Sequence, residues 1–265
     1  MQAILLVLPA LWFYRRFGVF AAFVYVAYYP LWVNAHFDFH FDHLAVPLLL
    51  GFYWALLDRR IGWAVLSATL LIFIKEPFAL QTAACGVLML WAAVHRESIW
   101  EQPLDQLSRR SLVVGGVWLL SAGLGYFYFA THYLLPYFAI EGWVDAMDGE
   151  AFGWLGHGLV EIILTIVTRP YVIAWEIITT SGKLIYLGVV FGMLVFVSLL
   201  RPAFLIPALP MLAIAMLSRS PNHYDYNTHY TAGLIIPVIF AFVYGLPQAE
   251  KIWEKLIIRM GGMLQ

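Results

Sequence analysis

The chain has 265 residues, of which 63% are hydrophobic, 17% aromatic and only 12% charged, with a mean hydropathy of +0.81. Soluble domains carry roughly a quarter of charged residues, so composition excludes a soluble globular enzyme, a nucleic-acid binder and a disulfide-stapled secreted domain, and leaves an integral membrane protein. A formal net charge of −1 implies no bulk attraction to nucleic acid or acidic lipid.

Apolar runs bounded by charges or turn residues fall at about 1–14, 17–33, 44–57, 61–74, 77–94, 112–139, 184–200, 202–218 and 232–247. The runs are continuous rather than alternating, which disfavours a transmembrane β-barrel. The predicted fold class is all-α: a polytopic transmembrane helical bundle of about nine spans forming a single integral membrane domain over 1–265. The opening MQAILLVLPALWFY has no basic residue before Arg15, so it lacks the charged start of a signal peptide and reads as a membrane helix. Cys85, the single cysteine, lies inside an apolar run, so neither an intrachain disulfide nor a paired-cysteine metal site exists.

Alternating the nine spans places Arg15, Arg16, Arg59, Arg60, Arg96, Arg109, Arg110, Arg201, Lys251, Lys255 and Arg259 on one side, against Lys75, Arg169, Lys183 and Arg219 on the other. Basic residues mark the cytoplasmic side. The expected location is therefore the cytoplasmic membrane, with 34–43, 75–76, 140–183 and 219–231 facing outward and the tail 248–265 cytoplasmic. Segment 151–182 carries AFGWLGHGLVEIILTIVT, whose Gly153, Gly156, Gly158 and Glu161 interrupt an almost span-length run. It reads as an interfacial or re-entrant helical segment between the sixth and seventh spans.

The first outward segment alternates with a period of two. In extended backbone His36, Asp38, His40 and Asp42 share one side and Phe37, Phe39 and Phe41 the other. Such a strip suits a water-filled cavity beside the bundle; the alternative is an aromatic belt whose histidines and aspartates are merely solvated. His36 and His40 also have the spacing of a metal-binding pair on a helix. Lys75 and Glu76 precede Pro77, which opens the next helix. Ionisable groups near membrane depth mark functional sites by default, Lys75 suiting a phosphate and Glu76 a proton or metal, with snorkelling to the interface as the alternative.

In the last outward segment His223, Asp225, Asn227 and His229 alternate with Tyr224, Tyr226 and Tyr230. Tyrosine faces and hydroxyls suit sugar rings and polar head groups as well as interfacial anchoring. Glu141, Asp145, Asp148 and Glu150 do not match a calcium-loop spacing and read as a solvated loop. His157, Glu161, Arg169 and Lys183 stand where they could meet a lipid head group. HExxH, GxSxG, Walker A and GxGxxG patterns are absent from the sequence.

At Asn34 with Phe37, Asp38, Phe39 and His40, at Leu44 to Pro47, at Lys75 with Glu76, at Gly158 to Pro170, and at His229, Tyr230 and Pro237, the sequence resembles an uncharacterised family of predicted prokaryotic membrane proteins, domain of unknown function 2079, grouped with type C membrane glycosyltransferases. The resemblance implies sugar transfer from a polyprenyl-phosphate lipid at the outer face of the cytoplasmic membrane. Asp38 and Glu76 are then the catalytic candidates. Asn34, His36, His40, Lys75, Arg169, His223, Tyr224, His229 and Tyr230 are the substrate-binding ones, and His36 with His40 are candidate ligands for a divalent metal ion. The implied partners are the bilayer and the carrier lipid, with no nucleic acid. Pro77 stands where the family has a further acidic residue, and the usual catalytic carboxylate loop would lie upstream, so the chain resembles an N-terminally truncated member. A transporter or non-catalytic membrane scaffold is the alternative reading.

Overall fold

The computed structural model describes residues 2–38, 40–95, 106–138, 151–156 and 158–263. Among them every regular element is helical: α1 (Gln2–Phe17), α2 (Val19–Ala27), α3 (Tyr29–His36), α4 (Ala45–Leu57), α5 (Ile61–Leu70), α6 (Glu76–Val94), α7 (Gln106–Phe129), α8 (Leu135–Phe138), α9 (Leu159–Thr168), α10 (Pro170–Thr179), α11 (Ser181–Phe191), α12 (Leu209–Leu217) and α13 (Ala232–Met263), with short 3₁₀ turns between several of them. A π-helical stretch at Ala130–Leu134 joins α7 to α8.

Three stretches are long and apolar enough to cross a membrane: Glu76–Val94, Ser108–Phe138 and His229–Ile258. A fourth exists if Val160–Thr168 and Pro170–Thr179, bent by 86° at Arg169, count as one broken span. This corrects the nine-span expectation, because apolar composition does not guarantee an unbroken helix. Gly18, at φ 87°, separates α1 from α2, and Tyr28 separates α2 from α3 just before Pro30. The run 184–200 breaks where Val195 and Phe196 adopt φ of 51° and 56°. The run 202–218 begins as a 3₁₀ helix, Pro202–Ala208, before α12.

α13 is the central post. Ala232, Leu234, Ile235, Ile236, Val238, Ile239, Phe240 and Ala241 are all fully buried, so this stretch is apolar and covered all round rather than on one stripe. Its Phe240 ring stacks on Tyr53 of α4 at 4.6 Å, and Tyr244 stacks on Phe204 at 4.6 Å. Phe13 of α1 stacks on Tyr25 at 5.2 Å and lies 5.4 Å from Phe240.

α6 and α7 approach closely along small residues. A Cβ on Gly86 would sit 2.6 Å from the Gly116 carbonyl, and one on Gly123 would collide with the Ala79 carbonyl. Small residues permit such approach in membrane bundles, where there is no water to drive helices together. α4 and α5 form a hairpin across Asp58–Arg60, with Ser67 donating to the Leu48 carbonyl at 2.8 Å. Thr82 of α6 donates to the Ala68 carbonyl of α5 at 2.9 Å.

Large apolar side chains face outward over much of the molecule, among them Leu8, Phe23, Trp63, Val114, Tyr137, Val167, Trp175 and Ile258. A surface of this kind is matched to lipid tails.

Candidate functional site

Segments that are far apart in sequence meet at one end of the bundle. α3 ends at His36, and its Asn34 is fully buried, donating from Nδ2 to the Pro30 carbonyl at 2.7 Å and to Thr231 Oγ1 at 2.7 Å. That bond pins the end of α3 to the start of α13. His40 then caps a 3₁₀ turn, Phe41–Leu44, its backbone N–H donating to His43 Nδ1 at 3.3 Å. The turn buries Asp42 and His43 and leads directly into α4.

Against this turn lies His229, in the last 3₁₀ turn before α13. The His40 and His229 rings stack at 3.7 Å with 12° between their planes. Asp42 reaches both: its Oδ1 is 3.1 Å from His40 Nδ1 and its Oδ2 is 3.7 Å from His229 Nε2. Asp42 and His229 are 3% and 9% exposed, whereas the His40 side chain keeps 41% of its surface open. One donor atom from each residue lies within 4.8 Å of the others, a set able to hold a metal ion.

Tyr230 links this cluster to its neighbours. It stacks on His229 at 4.5 Å, takes His223 edge-on at 5.2 Å, and carries the Lys75 ammonium over its ring at 5.2 Å. Lys75 is placed there as the extended N-cap of α6, where Pro77 fixes the first turn. His223 shares a 2.8 Å hydrogen bond with Ser218 Oγ and stacks on Phe152 at 5.9 Å. Burial, reinforced by the Lys75 cation, pushes its pKa below the usual histidine value.

A second polar group lies beside the first. Glu176 of α10 pairs with Arg219 at 3.0 Å and with the fully buried Lys183 of α11 at 3.5 Å. Lys183 also stands over the Tyr224 ring at 5.5 Å, and Arg219 over Trp154 at 4.6 Å. Tyr224 therefore packs on the lysine rather than on the histidines.

The structure rearranges the sequence-level groupings. The extended strip does not form, because α3 runs through His36 and a 3₁₀ turn begins at Phe41. His36 is exposed and bonded back to the Trp32 carbonyl at 2.8 Å, so it is not beside His40 as a metal partner. Asp42 and His229 stand there instead. Asp38 is exposed, Glu76 half-buried, and Arg169 exposed at the α9–α10 bend. Among the described residues no hydrogen bond or ion pair ties Asp38 or Glu76 to the cluster. Phe39, Arg96, the acidic stretch Glu141, Asp145, Asp148 and Glu150, and His157 lie outside the described residues. Asp42 was visible in the sequence only as one member of an alternating strip, and its pairing with His229 had no local signal.

A family model described as predicted membrane protein (DUF2079) matches residues 8–261. No curated protein and no solved structure matches the chain.

Proposed function

The chain belongs to this family of predicted membrane proteins, and we propose that it is a glycosyltransferase-like protein that takes a sugar from a polyprenyl-phosphate lipid at the outer face of the cytoplasmic membrane. The observation that carries this reading is the Lys75 ammonium, held over Tyr230 beside two histidines at the polar end of an otherwise apolar bundle.

Transfer from a lipid phosphate requires a cation where the departing phosphate gathers charge, and a carboxylate to take the acceptor's proton. Lys75 supplies the first. Glu76, one residue on and half-buried, and Asp38, exposed on the facing segment, are the carboxylates open to water for the second. Tyr230, its ring already met by His229 and Lys75, offers its hydroxyl to a sugar, and His223 its ring. Lipid reaches this end of the bundle along the exposed apolar faces of α9 and α10, where Val160, Ile163, Leu164, Val167, Tyr171 and Trp175 point outward. Asn34, buried and bonded to Thr231, positions the segment rather than touching substrate.

The test is sugar transfer in liposomes containing the purified chain and a polyprenyl-phosphate sugar. Lys75→Gln is expected to lower the rate about 10²-fold, the scale of losing one charge-stabilising group. Glu76→Gln or Asp38→Asn should abolish transfer while leaving the fold intact. Full activity in both amide variants, or no turnover by the parent chain, overturns the reading.

A further inference from the structure

We propose that His40, Asp42 and His229 form a binding site for one divalent transition-metal ion of the zinc type. The inference goes beyond the transfer reading and does not rest on it, since it is carried by the donor set alone.

Three observations converge. Asp42 offers one carboxylate oxygen 3.1 Å from His40 Nδ1 and the other 3.7 Å from His229 Nε2, and one donor atom from each of the three residues lies within 4.8 Å of the others. Metal–ligand bonds of about 2.0–2.1 Å put tetrahedral donors roughly 3.3 Å apart, so the set tightens as the ion enters. The carboxylate is almost fully buried, its side chain only 4% exposed, so it is a charge that the fold must answer locally. Both ring nitrogens of His229 are buried with no hydrogen-bond partner among the described residues. A neutral imidazole carries one donor and one acceptor, and leaving both unmet inside a protein is unfavourable. A structural hydrogen-bonded pair would explain His40 with Asp42; it leaves His229 unexplained, whereas a metal ion takes up Nε2, one of its two orphaned nitrogens.

The ligand types set the metal class. Two imidazoles and one carboxylate suit zinc and its neighbours, while magnesium and calcium prefer oxygen. Three protein ligands leave a position open, the composition of reactive rather than closed sites. His40, the most exposed of the three, is the side chain free to turn off the stacked arrangement as the ion enters. The open position suits water or an anionic oxygen, with the Lys75 ammonium close by over Tyr230.

The experiment loads metal onto the full chain in detergent after chelator stripping. Zinc content is measured directly, and Co²⁺ is used as a spectroscopic probe. The parent chain should take up one ion and give the visible absorption of cobalt bound by nitrogen ligands. Asp42→Asn and His229→Gln should weaken zinc binding at least about tenfold, the loss that even outer-sphere partners cause. His36→Gln should bind as the parent does, since His36 is bonded to Trp32 away from the cluster. Circular dichroism and monodispersity verify that each variant is folded. A parent chain whose cobalt spectrum is that of the aqueous ion, or uptake lowered as much by His36→Gln as by Asp42→Asn, overturns the proposal without bearing on sugar transfer.

Discussion

Gln81 illustrates how much one side chain decides inside an apolar bundle. Pro237, within α13, has no N–H, so the Gly233 carbonyl one turn earlier loses its helical donor. The Gln81 amide reaches across from α6 and donates to that carbonyl at 2.6 Å. In a membrane interior an unpaired carbonyl is costly. Gln81→Leu should lower unfolding stability by about 1–3 kcal/mol, and Pro237→Ala in the same chain should recover part of that loss by restoring the helix's own donor. Additive losses in denaturant unfolding of the two single variants and the double would refute the link. His223 offers a second test. Its folded pKa lies below the unfolded value, so the neutral ring is favoured by the fold, and the stability it contributes is present above about pH 6.5 and is lost as pH falls from there. Melting temperature against pH should drop less steeply on acidification for His223→Gln than for the parent; superimposable profiles would exclude the contribution. Both residues were plain in the sequence as types. Neither partner was, because Gln81 meets Gly233, and His223 meets Lys75, only after the chain has folded back.

At the scale of elements, the α6–α7 pair carries the most specific contact. Gly86, Gly116 and Gly123 let two backbones approach until no side chain fits between them, and a Cβ on Gly86 would also lie 2.7 Å from the Leu120 nitrogen. Gly86→Leu should therefore destabilise the protein by at least about 1–3 kcal/mol, the scale of overpacking, read as a lowered midpoint of thermal unfolding in detergent. An unchanged midpoint would mean that the pair separates freely. Helix type was legible throughout, since continuous apolar runs without alternation favour helices. Helix continuity was not. The runs at 17–33 and 184–200 look uniform in hydropathy, yet each is divided by non-helical backbone, at Tyr28 just ahead of Pro30 and at Val195–Phe196. The reverse holds for α13, which continues helical to Met263 well beyond the apolar run at 232–247.

Across the whole molecule, segments far apart in sequence gather at one end: Phe37, His40 and Asp42 against His229, Lys75 over Tyr230, Phe152 on His223, and Glu176 with Arg219. The convergence places a cation, a buried carboxylate and paired histidines within reach of one another at the margin of a lipid-matched surface. Composition determined that the chain is a membrane protein, because a body that is 63% hydrophobic and 12% charged cannot remain in water, and the continuous apolar runs determined that it is helical. Residue type likewise picked out the short segments in which the candidate site residues lie. Only the tertiary structure decided which of those residues meet. His40 pairs with Asp42 and His229 rather than with His36 because α3 carries His36 away on its last turn, while the buried Asn34–Thr231 bond draws the start of α13 onto the Phe41–Leu44 turn. Periodicity reports which face a residue takes within one element, and long-range packing alone reports what that face is set against.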